Sequence, residues 1–181
     1  MKTFTCSTCG ATKTETVTAT GHNWTNGECA NCDTILYATQ VNSLEEVTTG
    51  EYMVVVKYTD DKYYAVSNTH SGGVVSAKVV TVEDGKIKVN DSCGWTINVG
   101  DAGTDSLPVT LTKGEKFLAI YSGANMSIRD TSYNWTITYV DGAFRLKGGS
   151  RFLAYQGSGF KAYAEGNATR VIDVLLFKIP G

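Results

Sequence analysis

The stretch WTITYVDGAFRLKGGSRFLAY, residues 135–155, decides how this chain is read. Two runs that alternate between apolar and polar residues, Trp135 to Val140 and Ala143 to Leu146, flank Asp141-Gly142. Asp-Gly between such runs marks a two-residue hairpin, because that turn needs positive φ at both central positions. A Gly-rich turn then leads into Phe152-Leu153-Ala154-Tyr155. The hairpin signature recurs upstream, where Val79 to Glu83 and Lys86 to Val89 flank Asp84-Gly85.

Moving outward, the same landmarks repeat. Tyr64-Ala65-Val66, Leu118-Ala119-Ile120 and Leu153-Ala154-Tyr155 form a recurring triplet, preceded by Tyr63, Phe117 and Phe152. Each triplet is followed by a small polar turn and an apolar position: Val74 or Val75, Met126, and Phe160. Gly94-Trp95-Thr96-Ile97, Asn134-Trp135-Thr136-Ile137 and, more loosely, Leu176-Phe177-Lys178-Ile179 are a second landmark, with aromatics 40 and then 42 residues apart. Three copies of that length, four short strands each, make a β-trefoil. The first triplet lies 54 residues before the second, against 35 between second and third, so the hairpin at Asp84-Gly85 reads as an insertion in copy one. The last strand, Val174 to Ile179, is expected to close a barrel against Tyr52 to Val56, which removes exposed strand edges. Trp95 and Trp135, at matching positions, read as core. The alternative all-β reading is a β-sandwich.

Composition narrows the function classes. Charged residues are 19% and the formal net charge is −2, so no basic excess draws a phosphate backbone, and nucleic acid is not an expected partner. Gly 19, ten Tyr and only two Pro suit short strands joined by turns. No apolar run approaches the length of a membrane span, and the first residues lack the apolar stretch of a signal peptide. Phosphate-loop, nucleophile-elbow and metalloprotease motifs are absent, and the expectation is a protein that is not an enzyme.

The composition shifts near residue 35, dividing the chain into 1–34, a connector over 35–50 with one amphipathic turn, and a β domain over 51–181. Residues 1–34 are Thr-rich, nearly lack large aliphatics, and hold four of the five cysteines. Cys6-x2-Cys9 and Cys29-x2-Cys32, separated by 19 residues, fit a zinc ribbon whose structural zinc takes all four thiolates. Metal binding would supply on the order of 10 kcal/mol of folding free energy that this segment cannot draw from a core. Two disulfides are the alternative in an exported protein. His22 reads as a packing residue, with ligation in place of a cysteine as the other possibility, and Trp24 as an apolar cover for the metal. Cys93 reads as a small buried hydrophobe and His70 as a surface-loop residue.

Residues 135–155 resemble one unit of the ricin-type β-trefoil lectins, and 51–181 follow those lectins in outline. The resemblance implies a β-trefoil and a sugar-binding ancestry. The family's Gln-x-Trp is Cys93-Gly94-Trp95 and Tyr133-Asn134-Trp135 here, and its sugar-holding Asp is replaced by Val66, Ile120 or Tyr155, so its sugar site does not map residue by residue. Residues 6–32 are similar to short ribbon modules of large surface proteins of anaerobic gut bacteria. That similarity implies an extracellular or cell-surface module of a larger protein.

The expected ligand positions are Tyr121, Asn125, Tyr155, Gln156 and Tyr163, in or beside the Gly-rich turns. Amphipathic rings beside short polar groups there can stack on a sugar. The expected function is non-catalytic binding of carbohydrate or a surface component. The alternative is a structural spacer or protein-interaction module with no small ligand.

Overall fold

The computed structural model describes residues 2–15, 21–101, 103, 105–166 and 168–181, and is all-β. Two short hairpins come first. β1 (Lys2–Thr5) and β2 (Thr12–Glu15) pair antiparallel around the first cysteine knuckle. Gly10 sits at φ +72° there, where its amide donates to the Cys6 carbonyl at 2.9 Å. β3 (Trp24–Thr25) and β4 (Glu28–Cys29) flank Asn26-Gly27, both at positive φ, as a tight hairpin turn demands.

The remaining strands form one sheet. β5 (Tyr37–Val41) and a single 3-10 turn (Leu44–Glu46) occupy the stretch expected as a connector. β6 (Gly50–Lys57), β7 (Tyr63–Ser71) and β8 (Val74–Val80) follow, then the short β9 (Val82–Glu83) and β10 (Lys86–Lys88), then β11 (Gly94–Val99). β12 (Leu107–Lys113), β13 (Lys116–Ser122), β14 (Asn125–Arg129) and β15 (Trp135–Val140) make the second copy. β16 (Ala143–Gly148), β17 (Arg151–Tyr155), β18 (Phe160–Tyr163) and β19 (Leu175–Lys178) make the third.

The pairing order closes on itself. β6 pairs β11, β11 pairs β12, β12 pairs β15, and β15 pairs β16. The bridge between Phe144 and Val174 joins β16 to the run entering β19, and β19 pairs β6. These six strands are the barrel of a β-trefoil. The hairpins β7–β8, β13–β14 and β17–β18 cap it and touch in a ring: Met126 N–H donates to Gly73, Ala162 N–H donates to Ala124, and Phe160 pairs with Val75. A two-sheet sandwich has no such closed ring.

The register corrects two details of the repeat. Trp95 Nε1 donates to the Val66 carbonyl at 3.0 Å and Trp135 Nε1 to the Leu118 carbonyl at 2.9 Å. Across their hairpins Val66 faces Ala77, Leu118 faces Ile128 and Leu153 faces Ala162. Val66, not Tyr64, is therefore the equivalent of Leu118 and Leu153. Likewise Trp95 pairs Tyr52 and Trp135 pairs Val109, while Phe144 pairs Val174. Val174, not an aromatic of the 176–179 stretch, takes the tryptophan place in copy three. All these residues except half-buried Ala77 and Ile128 are buried, nearly all in one core cluster.

The β9–β10 hairpin is the expected insertion in copy one, turning on Asp84 and Gly85 at positive φ. β10 pairs β5, and β5 pairs the free edge of β19. This flap covers the outside of the barrel wall, making a second core from Ala38, Met53, Val55, Ile87, Cys93 and Phe177. Cys93 is fully buried there, the place of a small hydrophobe.

Removing an indole from the closed barrel leaves both a void and an orphaned carbonyl. Trp135→Ala is expected to destabilise the protein by about 3–5 kcal/mol, read as a lower urea midpoint. A loss below about 1 kcal/mol would contradict a core role.

Candidate functional site

The first site lies on the second hairpin. Trp24 and Cys29 face each other across β3 and β4, and the His22 ring stacks on Trp24 with centroids 4.6 Å apart. The stack presents His22 Nδ1 at 3.3 Å from Cys29 Sγ and 3.4 Å from Cys32 Sγ. The three donor atoms lie within 4.8 Å of one another, so His22, Cys29 and Cys32 can hold a metal ion. Asn31 N–H reaches Cys29 Sγ at 3.4 Å and holds that thiol below its ordinary pKa. Cys32 Sγ lies 3.2 Å from Thr34 Oγ1.

Cys6 and Cys9 lie in the first knuckle, both exposed, and are not members of that group. The Cys9 backbone N–H lowers the pKa of the Cys6 thiol, as Asn31 does for Cys29. All five cysteines are free thiols. The second hairpin is anchored to the trefoil through its turn. Leu36 N–H donates to Gly27 and Val89 N–H donates to Leu36, Asn26 N–H donates to Asp91 Oδ2 at 2.9 Å, and Glu28 pairs with Lys88. A Cβ on Gly27 would stand 2.6 Å from the Val89 carbonyl, so this approach requires glycine.

The second site is a groove of about 560 Å³ between the first two capping hairpins. A register shift in β7 between Val66 and His70 carries His70 and Gly72-Gly73 to one wall. β13 and β14 supply Tyr121, Ser127 and Arg129 to the other. Tyr121 is 47% exposed, and the Arg129 guanidinium carbon lies 5.7 Å from its ring centroid. His70 Nδ1 accepts from Ile128 N–H at 3.4 Å, which places the proton of a neutral ring on Nε2. Asp130, also on the groove, is paired with Lys116 at 3.0 Å. Ser127 is buried at 8% exposure, and its hydroxyl, itself shielded, has no hydrogen-bond partner among the described residues.

The expected ligand residues separate. Tyr121 lines the groove. Asn125 lies beside it as packing, since a Cβ on Gly73 would meet Asn125 Oδ1 at 2.5 Å. Tyr155 is a correction: it is 2% exposed, stacked on Tyr64 at 4.3 Å and edge-on to Tyr58 at 4.9 Å. Burial pushes its hydroxyl pKa well up. It is a core ring and offers no platform. Gln156 and Tyr163 do come together, but the Tyr163 hydroxyl donates to Gln156 and Arg170 covers the ring at 4.3 Å. The reading of the sequence missed His70 and Ser127 as groove residues; the Gly72-Gly73 pair beside His70 was the one local sign of a close approach.

No family model and no curated protein matches the chain. Among solved structures, SeviL bound to asialo-GM1 saccharide is similar to it at 19% identity and a TM-score of 0.49, covering 72% of this chain and 98% of that one. The trefoil assignment rests on the strand register above.

The groove depends on the two hairpins meeting at Gly73, which has φ +79°. Gly73→Ala combines that backbone with the overlap on Asn125. It is expected to cost about 1–3 kcal/mol of stability, measured by urea unfolding. An unchanged midpoint would contradict the tight docking.

Proposed function

We propose that this chain is a non-catalytic binding module of a larger, exported bacterial protein, taking carbohydrate or another surface component at the Tyr121 groove. The observation that carries this reading is the half-exposed Tyr121 ring beside Arg129, set over a groove whose other wall carries His70. An exposed aromatic face suits the apolar face of a sugar, while the exposed His70 and Arg129 suit its hydroxyls. Gln156 and Tyr163 satisfy one another, which is why the site is placed at Tyr121 rather than at the third hairpin.

The N-terminal residues 1–34 are proposed as a ribbon held by one structural zinc. Two Cys-x2-Cys knuckles and a histidine give a soft, nitrogen-containing donor set that zinc favours. A tetrahedral zinc with ordinary bond lengths holds sulfur and nitrogen about 3.5 Å apart. The 3.3 and 3.4 Å separations around His22 match that spacing. The ion's role is to order a segment with almost no apolar core.

A shallow groove with one ring gives weak binding, in the micromolar to millimolar range, strengthened by repetition in the parent protein. The direct test is titration of mucin, cell-wall and plant glycans against wild type and Tyr121→Ala. Saturable binding that persists in high salt and weakens at least about tenfold in the variant is expected. Absence of saturable binding across the panel would leave a spacer or protein-interaction module. Turnover of any glycan would contradict the non-catalytic reading.

A further inference from the structure

We propose that His22 is itself a ligand of the ribbon's ion through Nδ1, and that the Cys6–Cys9 knuckle therefore cannot place both of its thiolates on that ion. The assignment rests on the zinc reading above and departs from four-cysteine ligation. Its basis is the geometry around one atom. An imidazole nitrogen carries either one proton or one lone pair, so it satisfies one hydrogen-bond partner. Here a single nitrogen has two sulfurs at almost equal distance, 3.3 and 3.4 Å. Three donor atoms converging in this way span three corners of a tetrahedron, with the ion at its centre.

The local structure holds His22 in that place for independent reasons. Its ring lies on Trp24 at an interplanar angle of 25°, and Trp24 is strand-paired with Cys29 itself. The ring that orients His22 and the residue that supplies a thiolate are thus fixed by one hairpin. That hairpin is in turn tied to the trefoil at Asn26, Gly27 and Glu28. A packing histidine needs only the stack on Trp24; it has no need to point a nitrogen between two thiols. With Cys29, Cys32 and His22 on the ion, a tetrahedron has one corner left. At least one of Cys6 and Cys9, both exposed, then remains a free thiol in the metal-loaded protein.

The test is thiol counting on zinc-loaded protein whose metal content has been measured. Under native conditions at least one thiol is expected to react quickly with a colorimetric disulfide reagent. Cys93 is fully buried and reacts only on unfolding, so four-cysteine ligation predicts no fast thiol at all. His22→Ala is expected to weaken zinc binding by more than about 100-fold, beyond what loss of an outer-shell partner gives. Because that variant could simply fail to fold, His22→Cys serves as its partner: it should bind zinc tightly, and with cobalt its absorption bands should shift to longer wavelength and intensify as a sulfur replaces the nitrogen. Bound zinc with no fast thiol, or wild-type affinity in His22→Ala, overturns the assignment while leaving the zinc reading in place. No bound metal in the wild-type protein overturns both.

Discussion

The structure depends on the pairing of its last strand. β19 lies between β6 on one edge and β5 on the other, from Leu175 opposite Val55 through Lys178 opposite Thr39. The first edge closes the barrel; the second carries the flap. Without closure, β6 would present a row of unpaired backbone groups, and Phe144 of β16 would lose both of its hydrogen bonds to Val174. The outer faces of Met53, Val55 and Phe177 would also lose the cover that β5 and β10 provide. The same path continues outward, from β10 through Val89 and Leu36 to Gly27, and so to the hairpin bearing Cys29. The candidate metal-binding group near one end of the chain is thus tied to a strand near the other end.

Function, on this account, comes from the places where the threefold pattern is broken. In copies one and two a tryptophan donates its indole proton to the opposite hairpin, and register shifts in β7 and β13 re-aim the residues beyond it. Between those hairpins lies the groove. In copy three Val174 stands in the tryptophan's place, and Phe144, Tyr155 and Phe160 fill the same core. Drawing Tyr155 inward leaves the third hairpin without an exposed ring of its own at that position.

Much of this was legible in the chain, and the failures lie in register and in contacts between distant strands. The Asp84-Gly85 and Asp141-Gly142 turns, the copy-one insertion, the buried tryptophans and the closing strand all follow from local patterns. The two alignment errors differ in kind: Tyr64 for Val66 is a shift of two residues, whereas Phe177 for Val174 is a shift of three. A strand repeats its facing every second residue, so the shift of two preserves the apolar pattern and only the register reveals it. The shift of three crosses to the other face, where Phe177 is apolar because the flap covers it. Tyr155 looked exposed because it ends a strand before a Gly-rich turn; its burial is supplied by Tyr58 and Tyr64 from another copy. The groove was invisible because His70 and Ser127 belong to different hairpins. The cysteine knuckles were plain, whereas the place of His22 depended on Trp24 lying opposite Cys29.

Amide hydrogen exchange on the intact protein tests the closure most directly. If β19 is the strand on which the fold depends, the amides of Leu176 and Phe177 should exchange only by global unfolding, together with those of Trp135 and Ile137 in the opposite wall. Their protection should then fall in parallel with the others as urea is added. Exchange of β19 by a separate, lower-energy opening, while β12, β15 and β16 stay protected, would contradict the account.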